Sequence, residues 1–192
     1  DLTCFALWWP GLSFARVWSW VPEDTASKRM ETDRVPYLRW VEDPLALLES
    51  TEGNVAHLDL IERRVLDLAE QYQVRSIAYD RWGATQLVQH LQEAGLELTA
   101  FGQGYASMSA PTKQLLRLVG QGMARHEANP VLRWALSNTV GKTDEADNVK
   151  PDKKRSRDKI DPVVAWVMAL GESMIQDKRK RSAYRSRGIR TL

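Results

Sequence analysis

Cysteine is almost absent from this chain of 192 residues. Cys4 has no partner for an internal disulfide, which suits a reducing compartment, and with only His57, His90 and His126 beside it no zinc-ligand spacing exists. No apolar run is long enough to span a bilayer, and no secretory pattern opens the sequence. Internal repeats and low-complexity linkers are missing from the body of the chain. A phosphate-binding loop is missing too: Gly102-Gln103-Gly104 is too short and lacks the Lys-Ser/Thr pair, so it reads as a flexible connection. There is no initiating Met, and the opening Asp-Leu-Thr reads as the start of a piece excised from a longer polypeptide.

What is present has the balance of one globular domain, with 43% hydrophobic and 27% charged residues. The formal charge of +2 conceals a division. Residues 1–149 hold 14 Lys/Arg against 20 Asp/Glu and residues 150–192 hold 13 against 5, so the two parts carry −6 and +8. Basic charge gathered beside an acidic body points to a polyanion met at one place, because clustered Lys/Arg displace counterions from a phosphate backbone. A merely solvated basic loop is the plainer alternative.

Leu2 to Trp9 is apolar almost throughout, as in a strand covered on both faces; Pro10-Gly11 turns the chain and Phe14 to Val21 alternates, which predicts a hairpin. Pro22 to Arg34 is charged and without apolar period, an exposed excursion on this pattern. Tyr37 to Glu49 stays open between a helix through Leu38, Val41, Leu45 and Leu48, interrupted by Asp43-Pro44, and a third strand. Gly53-Asn54 marks a turn. Leu58, Ile61, Val65, Leu68 and Tyr72 then recur at helical spacing, Val74 to Tyr79 reads as a buried strand ending on Asp80, and Leu87, Val88, Leu91 and Ala94 predict a helix closed by Gly95. Helix, strand and helix in that order imply a right-handed crossover onto a parallel strand.

Leu96 to Ala100 predicts a short strand. Ser109-Ala110-Pro111 opens a helix to about Met123 with Ser109 as cap, and Asn129-Pro130 opens another through Leu136 with Asn129 as cap. Thr143 to Lys159 has almost no apolar residue, whereas Ile160 to Leu170 is a helix apolar all round that must be buried. Lys178 to Leu192, with seven Lys/Arg and no acid, reads as a basic flexible tail after a domain of residues 1–177. The eight Trp suit core and sheet packing better than base stacking.

Two carboxylates stand where chemistry could use them. Asp80 ends a strand at the edge where parallel α/β sheets present their sites, and Asp161 opens a buried helix. Each has a structural alternative, as a turn residue or helix cap. With Lys150, Lys153, Lys154, Arg155, Arg157 and Lys159 just before Asp161, the set suits divalent-metal phosphodiester hydrolysis, in which oxygen ligands hold two ions about 4 Å apart. A hairpin, a third strand, a crossover helix, an acidic strand end and a late acidic helix form an RNase H-like arrangement: α/β, with a mixed central sheet flanked by helices.

The residues that sharpen this are Asp1-Leu2-Thr3; Ala78-Tyr79-Asp80-Arg81-Trp82; Phe101-Gly102-Gln103-Gly104 with Ser107-Met108-Ser109; Asn129-Pro130-Val131-Leu132-Arg133-Trp134 with Asn138; and Lys150-Pro151-Asp152-Lys153-Lys154 through Lys159-Ile160-Asp161. In this order and spacing, from residue 1 to about 171, they resemble the nuclease domain of a tailed-bacteriophage terminase large subunit. The resemblance implies an Mg²⁺- or Mn²⁺-dependent endonuclease that cuts concatemeric double-stranded viral DNA during genome packaging through a two-metal site. Asp80 and Asp161 would be metal ligands, and Lys153 and Lys154 would meet phosphate near the scissile bond. The run Lys150 to Lys159 would form a mobile flap over the DNA, and Asn138 would help to order the loop after its helix.

The family places its first metal-binding aspartate a few residues before Asp-Leu-Thr on the same strand, so Asp1 resembles an accessory acid and the principal first ligand is expected outside these residues. Implied partners are double-stranded DNA, a terminase small subunit and a portal protein, with a packaging ATPase domain absent from this sequence and no membrane. The implied place is the cytoplasm of the infected bacterial host rather than the virion. The competing reading is an RNase H-like module, catalytically weak or silent, that docks on DNA or the portal.

Overall fold

Two apolar strands begin the fold. β1 (Thr3–Trp9) and β2 (Phe14–Pro22) pair antiparallel, from Thr3 opposite Trp20 to Trp9 opposite Phe14, around a single 3₁₀ turn at Pro10–Leu12. The computed structural model describes residues 2–32, 34–81 and 85–186. Asp1 and the Trp82-Gly83 turn lie outside the described residues.

The charged stretch after β2 is a helix, not an exposed excursion: α1 (Glu23–Thr32) buries Ala26 completely. A single small apolar residue leaves no period to read, yet Glu23 and Asp24 in the first turn and Arg29 in the last complement the helix dipole. The ambiguous stretch resolves into both alternatives, α2 (Tyr37–Glu42) and then β3 (Leu48–Thr51), which pairs parallel to β2. Asp43 separates them by accepting a hydrogen bond from the Leu45 amide at 2.9 Å, the side-chain turn that Asp favours.

α3 (Leu58–Tyr72) buries Ile61, Val65, Leu68 and Ala69, the face its spacing predicts. It ends through Gln73 in the left-handed region, with the Val74 amide bonded back to Ala69 O; this spends Val74 on closing the helix and leaves β4 only Ile77–Tyr79. α4 (Thr85–Glu93) closes in the same way over Gly95, at φ 87°, with the Leu96 amide bonded to Leu91 O. β5 (Leu98–Ala100) then pairs parallel to β4, as a crossover requires.

α5 (Tyr105–Gly120) starts a full turn before the expected cap at Ser109, with Gly104 at the N-cap position and Pro111 inside the helix. Pro111 is retained there by tertiary packing, since it is buried against a later helix, and Ser109 Oγ instead accepts from the Val149 amide at 3.2 Å. β6 (Arg125–His126) adds briefly to β2, and α6 (Pro130–Asn138) follows. The polar segment after it forms a hairpin, β7 (Gly141–Thr143) with β8 (Val149–Pro151). α7 (Asp161–Ser186) runs well past Lys178, so residues 178–186 continue a helix instead of opening a flexible tail; residues 187–192 lie outside the described part.

The layers follow from β2. Trp18 and Trp20 face α3 and α4, whereas Ala15 and Val17 face the layer of α5, α6 and α7, whose Val163, Trp166, Val167 and Leu170 form the main core. The buried apolar helix predicted from Ile160 is therefore the one that backs the sheet. β1 departs from the expectation of a strand covered on both faces: only Leu7 of its residues is fully buried. Of its two edges one pairs with β2, and among the described residues no strand pairs with the other.

Asn129 caps α6 as expected, and it does more. Its Oδ1 accepts from the Leu132 amide and its Nδ2 donates to Val17 O, both at 3.0 Å, with the residue 1% exposed. Asn129→Ala removes a cap and strands two buried backbone groups, so a loss of about 3 kcal/mol is expected in urea unfolding. Asn129→Asp keeps the cap and loses only the donor to Val17, and its loss should fall between the two.

Candidate active site

Asp80 directly follows β4, and Asp161 is the first residue of α7, 8% exposed. Both line one cavity of about 660 Å³ between β1, β4 and α7, which Gln103 and Lys153 also enter. The two carboxylates that the sequence singled out, 81 residues apart, thus line the same cavity. Asp1, the expected accessory acid, lies outside the described residues.

Each carboxylate meets a donor from a different loop. Gln103 Nε2 donates to Asp80 Oδ2 at 2.6 Å, and Lys153 Nζ donates to Asp161 Oδ1 at 2.5 Å. Lys150 Nζ donates to the Gln103 carbonyl at 2.9 Å and lies 5.5 Å from the Tyr105 ring centroid, which ties β8 to the loop after β5. Of the six basic residues, Lys153 lines the cavity; Lys154, Arg155 and Arg157 are exposed on the loop between β8 and α7, and Lys150 and Lys159 are half-buried.

The loop, expected as a mobile flap, closes its own turns with hydrogen bonds. Asp152 accepts from the Lys154 amide through Oδ1 and from Ser156 Oγ through its carbonyl, while its own amide bonds Val140 O. Polar side chains that close their own turns supply the anchoring that apolar residues supply elsewhere.

Two residues were missed. Gln103 reads in the sequence as part of a flexible glycine connection, although it lies just three residues past the end of β5, near the strand end where the rule that selected Asp80 also looks. Glu172 on α7 also lines the cavity, 3% exposed; its Oε1 accepts from Gln176 Nε2 at 2.9 Å and Thr99 Oγ1 at 3.4 Å, and its Oε2 is buried without a partner. A lone acid just past the buried apolar helix run was the available signal. Asn138, expected to order the following loop, is buried with its Nδ2 unsatisfied. Cys4 is no nucleophile at this site: burial pushes its thiol pKa far up, only partly offset by the contact with Ser19 Oγ, so it stays protonated.

The donor set is two carboxylates and the side-chain amide of Gln103, hard oxygen donors that fit a Mg²⁺- or Mn²⁺-like ion, which is commonly bound through one or two carboxylates plus substrate phosphate. Among the described residues no group of three or more His, Cys, Asp and Glu side chains is placed to hold an ion by itself. Among the same residues no helix is long and apolar enough to cross a membrane.

Comparison with known proteins agrees with this geometry. The family model described as terminase large subunit, endonuclease domain, matches residues 3–177. The terminase large subunit of Enterobacteria phage HK97 is 33% identical over 154 residues, 79% of this chain and 30% of that protein. Protein YmfN of Escherichia coli K12 is 35% identical over 185 residues, 90% of this chain and 39% of that protein. The crystal structure of the HK97 bacteriophage large terminase superposes with a TM-score of 0.76 at 28% identity, covering 90% of this chain and 40% of that one. The chain therefore spans between about a third and two fifths of the length of these relatives. With a mixed sheet between two helical layers and a family match over nearly all of its length, this chain belongs to the terminase large subunit endonuclease domains, of RNase H-like fold.

Proposed function

We propose that this domain cleaves double-stranded DNA by metal-dependent phosphodiester hydrolysis, cutting concatemeric viral genomes during packaging. The observation that carries the reading is that Asp80 and Asp161 line one cavity that Lys153, from the basic loop before α7, also lines. Asp80 and Asp161 would hold the metal, and Gln103 orients Asp80 by its hydrogen bond. When bound, divalent ions here would activate water and stabilise the leaving oxygen. Lys153 is placed to exchange its bond with Asp161 for a phosphate oxygen, and the exposed Lys154, Arg155 and Arg157 extend the positive surface along which a duplex would lie. Lys150 and Lys159, less exposed, support that surface from its base. Asp1 would serve as an accessory acid. The polypeptide would act with a packaging ATPase domain, a terminase small subunit and a portal protein, in the cytoplasm of an infected bacterium.

The test is nicking of supercoiled plasmid by the full-length polypeptide in Mn²⁺ or Mg²⁺. Cleavage that stops on chelation supports the reading; cleavage that survives EDTA, or plasmid binding without any cutting, would replace it, the latter with a docking module. The basic loop has its own signature. Lys153→Ala combined with Lys154→Ala should weaken binding to duplex DNA at low salt and flatten the slope of log affinity against log salt by about 2, roughly one unit for each phosphate no longer neutralised, without lowering thermal stability. An unchanged slope would place the phosphate-binding side chains elsewhere.

A further inference from the structure

One flank of α5 is covered by the fold in its first half and bare in its second. Tyr105, Ser109, Thr112, Leu116 and Val119 recur at alternating steps of four and three, the spacing of a helix-packing seam, and Met123 continues it past the helix end. β8 covers the start, where the Val149 amide donates to Ser109 Oγ and Lys150 lies over the Tyr105 ring. Thr112 is buried as well. Leu116, Val119 and Met123 are 57%, 52% and 49% exposed, and a Cβ added at Gly120 beside them would meet nothing within 4 Å.

Scattered exposed apolar side chains are ordinary, whereas a row of them on a fixed element marks a surface that another molecule covers. This row is fixed. α5 closes over Gly122, at φ 65°, with the Met123 and Ala124 amides bonded back to Leu118 O at 2.8 and 3.1 Å. The Arg125 amide then bonds Ser13 O at 2.9 Å, which brings the exposed Leu12 to the same end of the molecule. Charge along this stretch has one sign: from Lys113 to Arg125 there are three cations, Lys113, Arg117 and Arg125, and no acid. All three are exposed, and none forms an ion pair among the described residues, although Arg16 and Arg64 on other surfaces each hold a carboxylate.

We propose that this face of α5 receives an acidic amphipathic helix of a separate polypeptide, whose apolar side chains lie along Leu116, Val119 and Met123 and whose flanking carboxylates meet Lys113, Arg117 and Arg125. A helix suits the face because its anchors are spaced by helical turns, and a strand would find no open ladder on an α-helix. The row from Leu116 to Met123 is about 10 Å long, so two turns of the partner cover it, and Gly120 lets the partner's backbone come close. Acidic flanks follow from three cations that lack a partner, since opposite charges across an interface fix register and speed encounter. Duplex DNA would use those cations but leave the apolar row uncovered. Because α5 starts beside Gln103 and the row begins three turns further on, about 16 Å away, docking here leaves the two carboxylates free.

The test uses the full-length polypeptide and a labelled synthetic peptide of about three heptads, with Leu and Ile at the apolar positions and Glu on the flanks, read by fluorescence anisotropy. A second peptide carries Lys in place of every Glu. The acidic peptide should bind at least about tenfold more tightly than the basic one at low salt. Leu116→Gln combined with Val119→Gln should weaken it about tenfold or more, with thermal midpoint and plasmid nicking unchanged, and Lys113→Glu combined with Arg117→Glu should reverse the preference between the peptides. Equal affinity for the two peptides, or binding that survives the paired glutamines, overturns the proposal. Other occupants have their own readouts. Leu116→Cys closed to a maleimide before any peptide is added would mean that the rest of the same polypeptide covers the face. A dimer in sedimentation that Leu116→Gln dissolves would name a second copy, and weaker duplex binding in Lys113→Glu with Arg117→Glu, while neither peptide binds the parent, would name DNA. Each of these three results overturns the acidic helix.

Discussion

Asp161→Ala is expected to lower metal-dependent plasmid nicking in the full-length polypeptide by roughly a thousandfold or more, about 4 kcal/mol of barrier, with little change in thermal midpoint. The two effects separate because of where the partners sit. Asp161 is 8% exposed, but Lys153, whose ammonium it holds, has a side chain 47% exposed and can turn to water when the carboxylate is gone. No buried unpaired charge is left behind, so the fold has little reason to fail. Asp80→Ala should act in the same direction, with Gln103 losing its acceptor. Lys153→Ala offers a contrast of sign. It frees Asp161 from a cation that competes for the same oxygens, so Mn²⁺ should bind more tightly by calorimetry while nicking still falls. Wild-type nicking after either aspartate substitution would put the chemistry at other residues. Parallel loss of metal affinity and nicking in Lys153→Ala would reduce that lysine to a scaffold for Asp161.

Legibility in the sequence followed how local each signal was. The β1–β2 hairpin, α3, the Gly95 stop, the Asn129 cap and the buried run from Ile160 are each written in one local stretch of sequence, as period, turn or cap, and the structure has them. α1 escaped because it buries only Ala26, and a helix with one buried residue has no stripe. The start of α5 escaped because Pro111 looked like a first-turn proline, when what holds it inside the helix is its packing with α7 some sixty residues later. The site divides in the same way. Asp80 and Asp161 were visible from strand-end and helix-start positions, while Gln103 was hidden between two glycines and Glu172 just past an apolar helix run. Neither contact partner, Asp80 for the one or Thr99 for the other, is a sequence neighbour. That β1 pairs with a strand on one side alone among the described residues had no sequence signal, because an apolar strand reads the same whether one edge or two are paired.

The packing that held Pro111 in place also makes Gly171 the residue of α7 least open to change. A Cβ built there would meet Phe101 Cζ at 2.6 Å, Phe101 Cε2 at 2.9 Å and Pro111 Cγ at 3.1 Å. Phe101 is 3% exposed and Pro111 is a buried ring, so neither neighbour has room to give. Against this stands helix propensity, which favours Ala over Gly by about 1 kcal/mol. Overpacking costs about 1–3 kcal/mol for the first methyl group, so Gly171→Ala should lose about 1 kcal/mol net. Val adds two more methyl groups and keeps only a few tenths of the propensity gain, and Gly171→Val should lose roughly 4 kcal/mol or more, a large part of what holds a domain of this size. The urea midpoint reads both. The loss should reach the site as well, since Phe101 is two residues before Gln103, and a displaced ring loosens the hold of Gln103 on Asp80. Gly171→Ala should therefore slow nicking with both carboxylates intact, and adding Phe101→Leu should recover stability by removing the ring atoms that clash. A Gly171→Val protein as stable as the parent would mean that α5 and α7 do not approach this closely; a Phe101→Leu change that further destabilises Gly171→Ala would mean that the ring is not what limits them.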